Sequence, residues 1–591
     1  MGGAVGFVGP RPRRPGSWRE PTDNTGRYRS SATVRPSAAV LPRGLSVAVS
    51  ITASLALAAA SGSLPGQHLL AQDTISRAPS ESASDAPAAI VDTIIIDNRD
   101  IFDEAQAKSN FLFRLANALH INTRPYVIRR EVLFKQGEPL DSLRLAETAR
   151  NLRARRLFTQ VTIDTVRQDD RLAAVIRTRD GWTTTPRISL SFASDGTTTA
   201  VLGVTDRNLL GTGNYGRAWW VKGVDRSGFV LQTALRRLGG SPMTLGGGVF
   251  LLSDGTAGNW ATGVPYRAYP DRNALMYDGE AADRRILQFR ATNIALDTTA
   301  YQRRAFTNRL NGGIAPISNP KEYLRVGGTA EVRNEIYILR QDTALAIPDT
   351  ITATIGGYVG YSRADFNLVR YVNGFGQEDV NLSRSLHLSV KVTPEAFGWE
   401  SFGVGPRLDL SAGTRLGAGY ARGWVVANAL FNSAGLDSGR VVFGATVAAR
   451  PGPESRHVTV LSVRGGMQDN PPPGGEFDLG FNVLPRGFPP HAFVGTRSLS
   501  GTLEHRWYAW DGILRVINVG LAAFLDYGGA WYSGQPSRYG GNIGMGLRIG
   551  SGLSAGIGRT ARIDVAYLFG DGVTGRTGSR WSFSLGPSFV F

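Results

Sequence analysis

From Trp182 to the last residue, apolar and polar positions alternate with a period of two. The run SLHLSVKV sets Leu386, Leu388, Val390 and Val392 on one side, with His387, Ser389 and Lys391 on the other. ARIDVAYLF opposes Ile563, Val565, Tyr567 and Phe569 to Arg562, Asp564 and Ala566. The closing run WSFSLGPSFVF groups Trp581, Phe583, Leu585, Phe589 and Phe591 against Ser582, Ser584 and Ser588. Successive side chains of a strand point to opposite faces, so each run predicts a strand with one apolar and one polar face. Clusters of Gly, Asp, Asn and Ser separate the runs, as turns do. A soluble sandwich alternates in the same way. A membrane barrel adds aromatic residues at its strand ends and leaves no sheet edge. At about 25 residues for a strand and its connection, about 409 residues predict roughly 16 strands.

Ahead of this region the period changes. Residues 92–97, DTIIID, predict a strand, and FLFRLANAL predicts a helix. VIRREVL, 127–133, is a short amphipathic segment broken by Gly137, Glu138 and Pro139. Leu140, Leu143, Leu145, Ala149, Leu152 and Leu157 then recur at helical spacing, before the strands FTQVTIDTV and RLAAVIRTR. The predicted fold class is therefore an all-β transmembrane barrel of about 16 antiparallel strands at 182–591. One small α+β domain of order β-α-α-β-β precedes it at 92–181.

The N-terminal residues add a compartment. LSVAVSITASLALAAA, 45–60, carries no charge, follows Arg43 and ends in three Ala. A basic, then apolar, then small-residue succession predicts a secretory signal, and this run is short for a membrane span. Cleavage after Ala60 fits, with Ala71 as a later option, and the long stretch ahead places the expected start nearer Val34 or Val40. Residues 1–71 are assigned to this signal with its N-terminal extension, and 72–91, rich in Ser, Ala and Pro, to a linker. The expected location is the outer membrane, with the α+β domain in the periplasm.

Composition narrows the chemistry. The formal charge is +17, from 65 Lys and Arg against 48 Asp and Glu. Residues 1–44 hold eight Arg, Glu20 and Asp23, so cleavage leaves 17 − 6 = +11 with no basic block, and a nucleic-acid partner is rejected. The absence of Cys excludes disulfides, thiol catalysis and Cys-type zinc sites. GTGNYG, 211–216, lacks the surrounding βαβ unit of a dinucleotide site. GLSAG, 552–556, has no His after Ser554 to complete a hydrolase. The six His (His68, His120, His387, His457, His491, His505) show no metal spacing. No cofactor, metal or catalytic residue is expected. A barrel-embedded hydrolase using His457 or His491 is the minor alternative.

One stretch breaks the alternation: FNVLPRGFPPH, 481–491. Its prolines and glycine exclude a helix or a central strand, yet it is apolar, aromatic and carries a single cation. Arg486, Gly487 and Phe488 spell Arg-Gly-Phe, and FLDYG supplies Phe524, Asp526 and Gly528 as Phe-x-Asp-x-Gly. With a signal, one β-α-α-β-β unit and a C-terminal barrel, these motifs resemble the BamA/TamA-type outer-membrane assembly superfamily (bacterial surface antigen family). LAETARNLRARRLFTQVTI is similar to the second half of that family's POTRA domain. TRDGWTTTP resembles its hand-over to the barrel, and DRNLLGTGNYG an early barrel turn. The resemblance implies a barrel of 16 strands whose sixth extracellular loop folds inward, its Arg paired with acids on the inner wall. Asp526 and Glu504 are the candidate partners, because a partly desolvated guanidinium requires a carboxylate. Five strand candidates follow Arg486, at 499–507, 517–531, 540–550, 561–570 and 580–591, as a loop between strands 11 and 12 of 16 requires.

The resemblance also implies insertion or translocation of unfolded outer-membrane or secreted polypeptides within the lipid bilayer. Periplasmic or lipoprotein accessory factors are further partners, recruited with the client by strand augmentation on the α+β domain. The barrel would open between its first strand, 183–193, and its last, 580–591. Independently of family, Gly586 and Pro587 weaken that last strand, since Pro donates no ladder hydrogen bond. A single POTRA-like unit departs from the best-known insertases, and a passive pore is the main alternative.

Overall fold

The computed structural model describes residues 89–591, except 169–170, 292–295, 340–346, 348, 482, 514–516, 552–559 and 573–579. The signal, nearly all of the linker, His68 and the GLSAG run lie outside the described residues. Twenty strands close into one antiparallel barrel, running in chain order from Thr185–Phe192 to Trp581–Pro587, which pair with each other. The expected 16 is thus corrected to 20. The estimate of strand length plus connection was too generous. Ser253 and Asp254 alone join Thr244–Leu252 to Gly255–Val264, and four residues join Thr198–Leu209 to Asn214–Lys222. Five strands follow Arg486: Arg497–Ile513, Ile517–Trp531, Gly540–Ser551, Ala561–Gly570 and Trp581–Pro587. The additional strands all lie before that loop, which connects the fifteenth and sixteenth strands.

The two faces of the wall have opposite chemistry. Leu386, Leu388 and Val390 point outward and are exposed, as are Leu499, Leu503, Leu521, Leu525, Val565, Trp581 and Phe583. The alternate positions Thr502, Glu504, Arg506, Asp526, Arg548 and Asp564 are buried inside. An apolar exterior around a charged interior inverts a soluble core and suits a bilayer, where a closed ladder satisfies every backbone group. Among the described residues no helix is long and apolar enough to cross a membrane. Three strands, Asn273–Ala291, Leu296–Ser318 and Glu322–Leu339, are about twice the 9–11 residues a span needs. They rise beyond the wall on the rim away from the N-terminal domain.

That domain comprises β1 (Thr93–Arg99), α1 (Glu104–Ser109), α2 (Phe111–Leu119), α3 (Pro125–Arg129), α4 (Ser142–Ala154), β2 (Phe158–Gln168) and β3 (Arg171–Asp180). The sheet order is β1-β3-β2, with β1 parallel and β2 antiparallel to β3. Asp103 caps α1 in a reciprocal capping box with Gln106, and the Asp141 carboxylate accepts from the first-turn amides of α4. Pro125 starts α3, where its missing N–H is harmless. Ile128, Leu152, Leu157, Ala174 and Ile176 form the core between sheet and helices. A buried polar seat fixes the domain on the barrel rim. Arg124 N–H donates to the Gly211 carbonyl at 2.9 Å, and Asn208 Nδ2 to Thr123 Oγ1 at 2.9 Å. The Asp180 carboxylate also accepts from the Thr123 amide.

Candidate functional site

Odd-numbered barrel strands run away from the domain and even-numbered strands return to it. The connection at 470–496, after the fifteenth strand, therefore enters the lumen from the far rim. The connection at 364–383, after the tenth, enters from the domain rim. Sequence reasoning anticipated the first and missed the second.

At the far rim Arg486 is buried to 2% exposure. Asp526 takes it bidentately, with Nε to Oδ2 at 2.7 Å and Nη2 to Oδ1 at 2.9 Å. Nη2 also reaches Glu504 at 3.1 Å and Thr502 at 3.2 Å, and Nη1 reaches Asp564 at 3.2 Å. Phe524 lies under the guanidinium, 3.7 Å from carbon to ring centroid. Asn542 Nδ2 fastens both the Arg486 carbonyl, at 2.8 Å, and Asp526, at 3.0 Å. The acids are shared further. Glu504 accepts from Arg506 and Arg548, each at 2.8 Å, and Asp564 from Arg548 at 2.5 Å and Arg562 at 2.6 Å. Four guanidinium groups and three carboxylates thus form one buried network, in which no charge lacks an opposite neighbour.

The rest of the loop packs around this anchor. Phe488 is fully buried with Phe493, Ala530 and Leu568. Gly487 adopts φ +87°, and a Cβ there would lie 2.1 Å from Ser582 Oγ on the last strand. Its carbonyl accepts the Ser194 amide from the turn after the first strand. The loop tip therefore rests across the junction of first and last strands. Gly528 faces inward two residues beyond Asp526 and meets Ser500 rather than Arg486. His491 lies between Asp478, at 2.8 Å, and Asp225, at 3.3 Å. Burial opposes its charge, but the hydrogen bonds its ring donates to Asp225 and Asp478 prevail and raise its pKa to about 9. With both ring nitrogens engaged by carboxylates, His491 has none left to serve a hydroxyl as base. His457 pairs with His505 on the barrel exterior. Among the described residues no cluster of three or more His, Asp or Glu is placed to hold a metal.

At the domain rim the connection forms a hairpin, Phe366–Arg370 with Gln377–Asn381, tucked into the lumen. Val369, Tyr371, Val372, Phe375 and Val380 pack there against Tyr420, Val458, Val460, Tyr508 and Phe591. This overturns one expectation. Phe589 and Phe591 do not continue the outward aromatic row of Trp581 and Phe583. The strand ends at Pro587, the residues beyond it turn inward, and Phe591 is 3% exposed within the lumen. Pro587 cannot extend the ladder, because it has no N–H to donate.

Closure of the barrel is consequently brief. Phe583, Ser584 and Leu585 pair with Phe192, Ser191 and Leu190, and the ladder stops there. On its other edge the first strand pairs along its whole length, from Thr185 with Thr205 to Phe192 with Thr198. Asp564, Arg548, Arg562 and Asn542, which complete the Arg486 network, were not singled out from sequence. Their signal was present as charged or amide residues on the inward phase of otherwise apolar strands.

No family model and no curated protein matches the chain. Among solved structures it is similar to CdiB from Escherichia coli, with 14% identity, 94% of this chain and 100% of that one covered, and a TM-score of 0.42. BamA from Haemophilus ducreyi lacking POTRA domains 1–3 gives 12% identity, 84% and 85% coverage, and 0.33. The FrpB iron transporter from Neisseria meningitidis gives 9%, 71% and 84%, and 0.36. Likenesses this slight extend to an iron transporter as much as to BamA and CdiB, so they choose no role.

Proposed function

We propose that the chain is an outer-membrane barrel that inserts or translocates other polypeptides by strand addition at the seam between its first and last strands. The observation that carries this reading is the seam itself, paired over only Leu190, Ser191 and Phe192 while every other part of the wall is laddered at greater length. Opening it exposes two strand edges and breaks few hydrogen bonds, and an edge in need of partners is what an extended client supplies. The N-terminal POTRA-like domain then acts as the periplasmic receiver of clients or accessory factors. Free energy comes from client burial in the bilayer and from completed ladders, not from a nucleotide.

A passive pore would conduct steadily. Here inward-folded connections occupy the lumen from both rims, which favours small, intermittent conductance. The test is reconstitution into lipid vesicles, following the folding of an urea-unfolded β-barrel client. Faster client folding than in protein-free vesicles is expected. Unchanged folding together with a large, constant conductance would move the function to transport through the lumen.

A further inference from the structure

Helix α2 of the N-terminal domain carries apolar side chains on two opposite faces, and the domain covers one of them. Its sequence, FLFRLANAL, contains no acid and a single cation, Arg114. On the covered face Phe113 is buried with Ile101 and Phe102, stacked on the Phe102 ring at 4.1 Å, and Ala116 packs on the same cluster. Asn117 fastens this face to the Phe102 main chain, accepting its amide at 3.1 Å and donating to its carbonyl at 2.8 Å. Phe111, Leu115 and Leu119 recur every four residues on the other face, where they are 64%, 40% and 66% exposed. The free face of a helix in water is ordinarily polar, and one that is apolar all round is covered by something.

The apolar stripe does not end with the helix. Ile121 is exposed and stands against the turn between the second and third barrel strands: a Cβ on Gly211 would lie 3.2 Å from Ile121 Cγ2. Leu209 and Leu210 of that turn are exposed as well. Leu209 lies on the outward side of the wall. A Cβ on Gly216 would meet its Cδ1 at 2.8 Å, while Arg217, Trp219 and Val221, on the alternate phase of the third strand, are buried. Farther along the second strand, Leu202 and Val204 continue the outward apolar row. The hydrogen-bonded seat of Thr123 and Arg124 on Asn208 and Gly211 follows Ile121 directly, so the end of α2 is held at the rim. Cations border the stripe. Arg114 lies over the Phe111 ring at 5.8 Å, and Arg124 and Arg129 are exposed beside the seat. Long arginine stems lie along apolar surface and keep their charge at headgroup level.

We propose that the outer face of α2, together with Ile121, Leu209 and Leu210, is an interfacial anchor embedded in the bilayer leaflet at the domain rim. Lipid is the occupant of this face because the face continues a wall whose own apolar side chains meet lipid. The anchor sets the domain against the membrane beside the second and third strands. This requires that the barrel span a bilayer and is independent of whether its seam opens.

The test uses the full chain in vesicles of phosphatidylcholine and phosphatidylglycerol. In a sequence without Cys, three single variants each carry one fluorophore. Leu115→Cys marks α2, Leu525→Cys the outward wall, and Arg167→Cys the exposed end of β2 remote from the seat. Phosphatidylcholine spin-labelled on its acyl chain quenches from within the bilayer, and iodide quenches from water. Quenching of the Leu115 label by the spin-labelled lipid should exceed that of the Arg167 label severalfold, with protection from iodide matching the Leu525 label. Adding Phe111→Ser and Leu119→Ser should cut the lipid quenching at 115 severalfold, while the barrel still migrates as a folded species on an unheated gel. A Leu115 label open to iodide and untouched by the spin-labelled lipid, with the Leu525 label still quenched, overturns the anchor and keeps the barrel. Protection from both quenchers also overturns it, because protein then covers the helix. Lipid quenching unchanged by the two Ser substitutions overturns it as well. An unquenched Leu525 label sinks the anchor together with the membrane reading of the wall.

Discussion

Arg486 is held by three carboxylates, but they do not depend on it equally. Glu504 and Asp564 keep other guanidinium partners, whereas the cation on Asp526 is Arg486 and its remaining side-chain partner is Asn542. Replacing Arg486 by Met therefore strands a fully buried carboxylate, and removal of one member of such a pair costs about 3–5 kcal/mol. Adding Asp526→Asn should return at least half of that loss, because the orphaned charge is removed with its partner. Urea-unfolding midpoints of the two single variants and the double variant measure the coupling. Independent, additive losses would show that the two residues do not act as a pair. Arg486, Asp526 and Glu504 were legible in the sequence because Arg-Gly-Phe and Phe-x-Asp-x-Gly resemble motifs whose loop folds inward, and a desolvated guanidinium then requires a carboxylate. The sequence did not reveal Asp564, because choosing among the inward charges of several strands requires the register of the wall.

The two inward connections differ in how they could be read. The far-rim loop announces itself by composition. The domain-rim hairpin is made of short alternating runs, FNLVR and QEDVN, that pass for barrel text. The four missed strands have a different cause: turns as short as Ser253 and Asp254 make the repeat of strand and connection shorter than about 25 residues. Alternation located the strands well but could not place a break within WSFSLGPSFVF, where phase resumes after Pro587 although the chain has turned inward. At this scale the far-rim loop also has a pH dependence. His491 titrates near 9 when docked and near 6.5 when free, so its pairing with Asp225 and Asp478 is fully present below about 6.5 and lost as pH rises through 9. Arg226 and Arg285 beside Asp225 compete with His491 for that carboxylate and limit the size of the effect. Proteolysis within residues 470–496 should accelerate between about pH 7 and pH 10, and His491→Gln should cleave fast throughout. A wild-type rate that does not rise over this range would remove His491 as a clasp of the loop.

In the whole molecule the contacts run in one line. The domain helix α4 touches the domain-rim hairpin, the hairpin holds Phe591, and Phe591 lies four residues beyond Pro587, where the strand that closes the barrel ends. The far-rim loop rests on the same junction through Gly487. Periodicity marked the strands and the polarity of the wall, because ladder constraints act on every strand, but it gave 16 strands where 20 close and two helices where the N-terminal domain has four. The chain of contacts was not legible in it, since it joins residues more than 200 positions apart. We propose that the seam is held closed by contacts from both rims in addition to its short ladder. The measurement that tests it is a disulfide between Ser191→Cys and Ser584→Cys, paired residues of the first and last strands in a chain without other Cys. Locked by oxidation, the protein should lose acceleration of client folding in vesicles and regain it on reduction. Equal activity in the oxidised and reduced states would contradict a working seam.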